Sequence, residues 1–134
     1  RALENEDIPG WLEERLRAER AAALIAAGRP ADAEQELETL VREHPGNPHY
    51  HNDLAWLRLE ELDRPHDALP AAEEACRISS DNDRVRAELR HTLGRIHRVL
   101  GNREQARFYL EKSLEDHPTG HARSDLRKLE LEAP

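Results

Sequence analysis

The histidines are the residues whose types and spacing come closest to a site for chemistry. Among the eight in the chain, His49 lies two residues before His51 and His117 lies four before His121, and either spacing suits two ligands of one metal ion. A protein zinc site also needs further protein ligands, and none stands at a suitable distance. Both pairs fall at expected turns, where a histidine at a helix end interacts favourably with the helix dipole. We therefore expect no metal site.

The acidic and hydroxyl residues are also poorly placed for catalysis. Adjacent carboxylates such as Glu73-Glu74 lie on an expected helix, where neighbouring side chains point about 100° apart and cannot act on one substrate. The hydroxyl residues, Ser113 among them, lack a recognisable base. The chain contains no phosphate-binding loop, dinucleotide glycine motif or nucleophile elbow. We therefore expect a non-catalytic protein with no catalytic residue and no cofactor.

The clearest structural signal lies between residues 84 and 118, where apolar residues predict two helices. The first helix carries its apolar residues at steps of four, three and four, the spacing of one helix face: Leu89, Leu93, Ile96 and Leu100. Gly101-Asn102 interrupts the pattern, and a second apolar face follows. Gly94 lies inside the first helix, where glycine costs about 1 kcal/mol relative to alanine. We expect a neighbouring helix to cross there at backbone distance.

Small and turn residues of this stretch stand at Leu93-Gly94, Leu100-Gly101-Asn102, Ala106 and Pro118. In these positions the stretch resembles the tetratricopeptide repeat, a helix–turn–helix unit of about 34 residues. Small residues let the two helices approach closely, glycine ends the first helix in a left-handed conformation, and proline ends the second. Because one repeat cannot bury its apolar face, the resemblance implies further copies.

Small and turn residues of the same kind indicate two earlier copies of the repeat. Pro45 and Ser80 precede Pro118 at separations close to the period of the family, and the second copy carries one extra residue near Leu62-Asp63-Arg64 in place of a glycine turn. The resemblance implies an all-α fold of helix–turn–helix repeats stacked in a right-handed superhelix. We expect a disordered N-terminal tail at residues 1–7 and one domain at residues 8–134. The domain should contain three repeats, at about 11–47, 48–83 and 84–120, and a capping helix at 121–131.

Composition excludes several other classes of protein. The formal net charge of -8 argues against nucleic-acid binding, which needs a basic surface. No apolar run approaches the roughly 18 residues of a membrane span, and no signal peptide is visible, so we expect no membrane insertion and favour a cytoplasmic location. The chain has no initiating methionine, and upstream signals are therefore not excluded. With one cysteine, Cys76, it has no internal disulfide.

The candidate binding site follows from the resemblance. In tetratricopeptide repeats the first helices line a concave face that holds a peptide, and six residues of this chain match positions there: Arg15, Asn52, Trp56, His91, Arg95 and Arg98. The spacing of His91, Arg95 and Arg98 independently predicts one basic stripe, which would attract a protein or peptide of acidic character. Asn52 could hold a peptide backbone through its amide, and Trp56 could anchor an apolar group.

Other interpretations of the same residues remain open. Arg95 and Arg98 could pair with carboxylates of a neighbouring helix, each pair being worth about 0–1 kcal/mol when exposed. Chaperone-binding members of the family clamp a terminal carboxylate with a cluster of Lys, Arg and Asn residues. Ala18 and Ala22 occupy the first repeat's share of that cluster, so the clamp is incomplete here.

Three functions therefore remain. The favoured one is a protein-interaction scaffold that binds a peptide or a partner surface in the concave groove. The second is self-assembly into a homo-oligomer through exposed apolar residues such as Trp11, Phe108 and Leu131. The third is an accessory module of a larger enzyme.

Overall fold

The computed structural model describes residues 8–132, which form seven helices joined by short turns. We number them in chain order: α1 (Gly10–Ala26), α2 (Pro30–Glu43), α3 (Pro48–Trp56), α4 (Pro65–Ile78), α5 (Asp83–Val99), α6 (Arg103–Asp116) and α7 (Gly120–Leu131). These residues contain no strand, and the expected all-α fold is confirmed. The expected tail, residues 1–7, lies outside the described part of the chain, and the expected repeat limits stay predictions.

The helices pack as consecutive pairs. The pairs are α1 with α2, α3 with α4, and α5 with α6, while α7 packs on α6 and also contacts α5. Short connections make the two helices of each pair antiparallel neighbours. The pairs then stack through contacts of α2 with α3, α4 with α5, and α3 with α5.

Local residue chemistry explains where the helices begin and end. Proline opens α2, α3 and α4, a position where its missing N–H group is not needed. The side chain of Asn82 accepts hydrogen bonds from two backbone N–H groups of the first turn of α5, as expected of an N-cap. Gly28 and Gly101 follow α1 and α5 with φ of 75° and 82°, the left-handed conformation that ends many helices.

Close contact between the helices of a pair depends on small residues. A Cβ atom added to Gly94 would lie 2.9 Å from Cγ of Leu110 and 3.2 Å from its backbone nitrogen, so the expected close crossing of α5 and α6 is confirmed. Ala33, Ala68 and Ala106 are fully buried on the second helices of the three pairs. Small side chains at these contacts let the larger leucines around them interlock.

The second helix pair departs from a regular repeat where the sequence carries its extra residue. α3 continues as one π-helical turn, Leu57–Glu61, in which the Leu62 N–H group donates to the Leu57 carbonyl oxygen at 3.0 Å. Asp63 then takes a left-handed φ of 51°, the role that glycine has in the other two turns. The π-helical turn therefore accommodates the extra residue without breaking the stack.

Ion pairs fix this irregular turn to the preceding helix pair. Arg58 Nε lies 2.8 Å from a carboxylate oxygen of Glu34 on α2 and its Nη2 lies 3.1 Å from Glu38. Arg64 contacts the same Glu34 oxygen. Glu34 is largely buried between its two arginines, so the turn has a defined position against α2.

Within residues 8–132, none of the helices combines the length and the apolar character that crossing a membrane would require.

We predict that Gly94→Ala destabilises the domain although alanine is the better helix former. Alanine should gain about 1 kcal/mol of helix propensity, but its methyl group would overlap Leu110, and overpacking of this kind costs about 1–3 kcal/mol. Urea denaturation followed by circular dichroism should show a lower free energy of unfolding. The control is Gly120→Ala, because an added Cβ there meets no atom within 4 Å. Equal stability of both variants and the wild type would contradict the close crossing.

Candidate functional site

A hollow with an apolar floor opens between α1 and α3. It has a volume of about 360 Å³, within the range of about 300–1,000 Å³ that is typical of ligand pockets. The small side chains of Ala18 and Ala22 leave this space unfilled. The larger side chains of Ile25, Leu37 and Trp56 form its walls. We call it the apolar hollow.

The rim of the apolar hollow is acidic. Asp53, Glu60 and Glu61 line it, and no lysine or arginine does. Arg95 reaches Glu60 from α5, with 3.0 Å between Nη2 and Oε1. Asp53 and Glu61 have no ion-pair partner within residues 8–132. Burial raises the pKa of Asp53, the charge of Glu88 adds to the rise and His49 opposes it.

A second, polar hollow lies on the other side of Trp56. Its volume is about 230 Å³, and six residues line it: Asn52, Trp56, Glu88, His91, Thr92 and His121. Trp56 lines both hollows and therefore separates them. The Asn52 side chain is buried, and its Oδ1 atom accepts no hydrogen bond from the described part of the chain. Because a buried amide oxygen normally has a donor, Asn52 is an exception among the buried polar groups beside this hollow.

The predicted basic stripe is present, but each of its members has a carboxylate partner. His91 Nε2 lies 2.6 Å from Oδ2 of Asp125 on α7. Arg98 Nη2 lies 2.6 Å from Oε1 of Glu132. Arg95 pairs with Glu60 as described above. The chain itself therefore compensates the positive charge of the stripe.

Arg95 has a second contact that gives it a positioning role. Its guanidinium carbon lies 5.0 Å from the centroid of the Trp56 ring, a cation–π contact. With Glu60 on its other side, Arg95 fixes the ring that separates the two hollows.

The remaining predicted site residue, Arg15, lies apart from both hollows. It is exposed on α1 and pairs with Glu19, one turn further along the same helix, at 3.2 Å. Three of the six predicted residues, Asn52, Trp56 and His91, thus line the polar hollow directly. Arg95 supports the wall, whereas Arg98 and Arg15 line neither hollow.

Sequence reasoning missed the acidic rim. Glu60 stands four residues after Trp56 and Asp53 three residues before it, which are the spacings of one helix face. That signal was therefore available. The position of Glu61 was not predictable in the same way, because it depends on the π-helical turn.

The two helices beside the apolar hollow are tethered to one another by Tyr50 and Glu14. Tyr50 on α3 donates its hydroxyl proton to Glu14 on α1, with 2.6 Å between the oxygens. Burial, followed by the hydrogen bond and the charge of Glu14, raises the pKa of Tyr50 to about 12. His44 at the end of α2 lies 3.7 Å from the other Glu14 oxygen. These contacts therefore join α1 to both α2 and α3.

Other residues whose side chains could bind a metal or react take part in packing. His51 is buried with Nε2 3.0 Å from the Pro45 carbonyl oxygen, and the His91 and His121 rings are 6.3 Å apart. Within residues 8–132, no three His, Cys, Asp or Glu side chains cluster as metal ligands. Burial raises the pKa of Cys76 to about 11, so its thiol stays protonated near neutral pH.

Comparison with known proteins supports the resemblance seen in the sequence. Residues 9–57 match the family model of the tetratricopeptide repeat. No curated protein sequence matches the chain.

Solved structures extend the likeness to most of the chain. The first tetratricopeptide-repeat domain of human RPAP3 superposes with a TM-score of 0.77 at 19% identity, covering 87% of this chain and 89% of that one. The first domain of Spaghetti (RPAP3), bound to the HSP90 peptide SRMEEVD, gives 0.78 at 19% identity, with 87% and 90% covered. The second human RPAP3 domain, in complex with the HSP70 peptide SGPTIEEVD, gives 0.76 at 16%, with 89% and 99% covered. The predicted repeat fold is confirmed.

We predict that Tyr50→Phe lowers the free energy of unfolding by about 1.5–3 kcal/mol at neutral pH, the usual effect of losing a hydrogen bond to a charged group. The unfolded tyrosine loses its proton near pH 10, whereas the folded one keeps it to about pH 12. The stabilisation should therefore be complete below pH 10 and decline as the pH rises towards 12.

Urea denaturation at a series of pH values measures this effect. The matched control is Tyr109→Phe, because the Tyr109 ring stacks on His97 instead. A constant difference between Tyr50→Phe and the wild type across the alkaline range would contradict the hydrogen bond to Glu14.

Proposed function

We propose that this chain, a tetratricopeptide-repeat domain, is a non-catalytic interaction module that holds a segment of a partner protein in the apolar hollow. The observation that carries the proposal is the hollow itself, which has an apolar floor and an open mouth beside the half-buried Trp56. Tryptophan is enriched among the residues that dominate binding energies. Trp56 is pre-organised by Arg95, so that little side-chain entropy is lost when a partner binds.

Similar domains support a peptide as the form of the partner. Spaghetti and the second RPAP3 domain hold HSP90 and HSP70 peptides that end in acidic residues. Here the unpartnered Oδ1 atom of the buried Asn52 would accept a backbone N–H group of an extended peptide once the side chain turns towards the polar hollow. Asn52 and Trp56 lie side by side along the polar hollow, so one segment could contact both.

An acidic partner is the alternative that the predicted basic stripe favours. The carboxylates of such a partner would compete with Asp125, Glu60 and Glu132 for His91, Arg95 and Arg98. Alanines also stand where the first repeat of chaperone-binding domains supplies polar clamp residues. We therefore place the acidic peptide second to a partner that enters the apolar hollow, and the choice between them is experimental.

Filling the hollow tests the proposal directly. Peptides selected on the wild-type domain from a random phage-displayed library should bind Ala22→Leu at least about tenfold more weakly, because the leucine side chain would occupy the space above Ala18. Ala23→Leu is the matched control, since Ala23 is equally exposed on α1 but does not line the hollow. Circular dichroism should show both variants folded.

Selected peptides that bind both variants as tightly as the wild type would refute binding in the hollow. A selection that yields no peptide sensitive to Ala22→Leu would refute it as well.

Self-association is a second candidate function, favoured by exposed apolar side chains. Trp11 is 65% exposed, Phe108 53% and Leu131 81%. They lie on three different helices, and Lys112 partly covers the Phe108 ring, with Nζ 5.7 Å from its centroid. We therefore expect a monomer by light scattering at micromolar concentration. A stable oligomer that dissociates on Trp11→Ser or Phe108→Ser would favour assembly instead.

A further inference from the structure

We infer that the segment bound in the apolar hollow carries an apolar side chain flanked by lysine or arginine, so that the domain selects basic apolar sequences. The inference rests on the proposed function and specifies its partner. It follows from the combination of an apolar floor with an acidic rim.

The floor requires an apolar side chain. The methyl and methylene groups of Ala18, Ala22, Ile25 and Leu37, with the Trp56 ring, face the hollow. The backbone groups of α1 and α3 are engaged in their own helices. A polar side chain that entered would lose water without gaining a hydrogen-bond partner from the floor, whereas an apolar one gains by leaving water.

The acidic rim of the hollow requires a positively charged residue of the partner next to its apolar side chain. Three carboxylates line the hollow and no cation does. Arg95 pairs with Glu60, which leaves Asp53 and Glu61 without an ion-pair partner in residues 8–132, and His49 interacts favourably with the Asp53 charge. Glu88 adds negative charge near Asp53. A lysine or arginine of the partner would supply the missing counter-charge, and the net charge of -8 would accelerate its approach.

An acidic segment would meet unfavourable charge at the same place. Its carboxylates would lie against Asp53 and Glu61, and like charges brought together across an interface suppress binding. The guanidinium group of Arg95 is paired with Glu60 and packed against Trp56, so its charge is already compensated within the chain.

Three synthetic peptides of equal length, free of tryptophan and tyrosine, test the inference. The first has a leucine pair flanked by lysine and arginine, the second the same pair flanked by glutamate, and the third serines flanked by lysine and arginine. The protein is the whole chain with Trp11→Phe, which leaves Trp56 as the only tryptophan. The intrinsic emission of Trp56 then reports binding at the wall of the hollow.

The first peptide should bind about tenfold more tightly than either of the others at low salt, and its affinity should fall as the ionic strength rises. Neutralising the rim with Asp53→Asn and Glu61→Gln should remove most of this preference while Glu60 keeps its pair with Arg95. The matched control is Glu104→Gln with Glu111→Gln, two exposed carboxylates beside Phe108 on α6. This control should leave the preference unchanged.

The possible failures are distinguishable. Equal or tighter binding of the acidic peptide, or an unchanged preference after the rim is neutralised, overturns the inference. If none of the three peptides shifts the Trp56 emission while library binders sensitive to Ala22→Leu exist, the inference fails and the proposed function stands. If library binders ignore Ala22→Leu, the proposed function fails together with the inference.

Discussion

The structure depends on the close approach of paired helices at residues that have almost no side chain. Gly94 permits the backbone of α6 to pass at contact distance, and Ala33, Ala55 and Ala106 are fully buried in corresponding contacts. Leucines around these points can then supply most of the buried surface, which is how a chain with 4% aromatic residues builds a core. Such a core is a narrow seam between helices. It leaves one face of α1, α3 and α5 free to carry the two hollows.

A second regularity links the first helices across that face. Tyr50 bonds Glu14 over 36 residues, while the pairs His91–Asp125 and Arg98–Glu132 each span 34. The Arg95–Glu60 pair has a comparable separation. Because the spacing is close to one repeat, each contact joins similar positions of neighbouring repeats. These polar contacts link the helices beside the hollows, and two of the residues that make them, Glu60 and His91, also line a hollow.

The sequence predicted the helices well because their signals are local. The apolar spacing of Leu89, Leu93 and Ile96 and the position of Gly94 require knowledge of only one helix pair. The site was harder, because ion pairs such as His91–Asp125 join residues on different helices. Seen alone, α5 carries a basic stripe, and only the packed structure shows that the stripe is compensated. A search one repeat length along the chain would have found its partners, since 34 residues separate them.

The Glu61 part of the acidic rim was missed for a different reason. Its position depends on the π-helical turn Leu57–Glu61, and the sequence indicated an extra residue near this point without indicating how the backbone would accommodate it. The turn keeps Glu60 and Glu61 beside the hollow, while Arg58 holds the turn against α2. A local irregularity in the backbone thus contributes directly to the charge of the proposed site.

Nuclear Overhauser effects between the domain and a bound peptide would test the central claim most directly. In a complex with the leucine-containing basic peptide, the account predicts contacts from the peptide leucine methyl groups to the methyl groups of Ala18, Ala22 and Ile25 and to the Trp56 indole. Contacts confined to exposed residues outside the hollow, such as Val99 or Phe108, would show that the hollow is not where this domain binds.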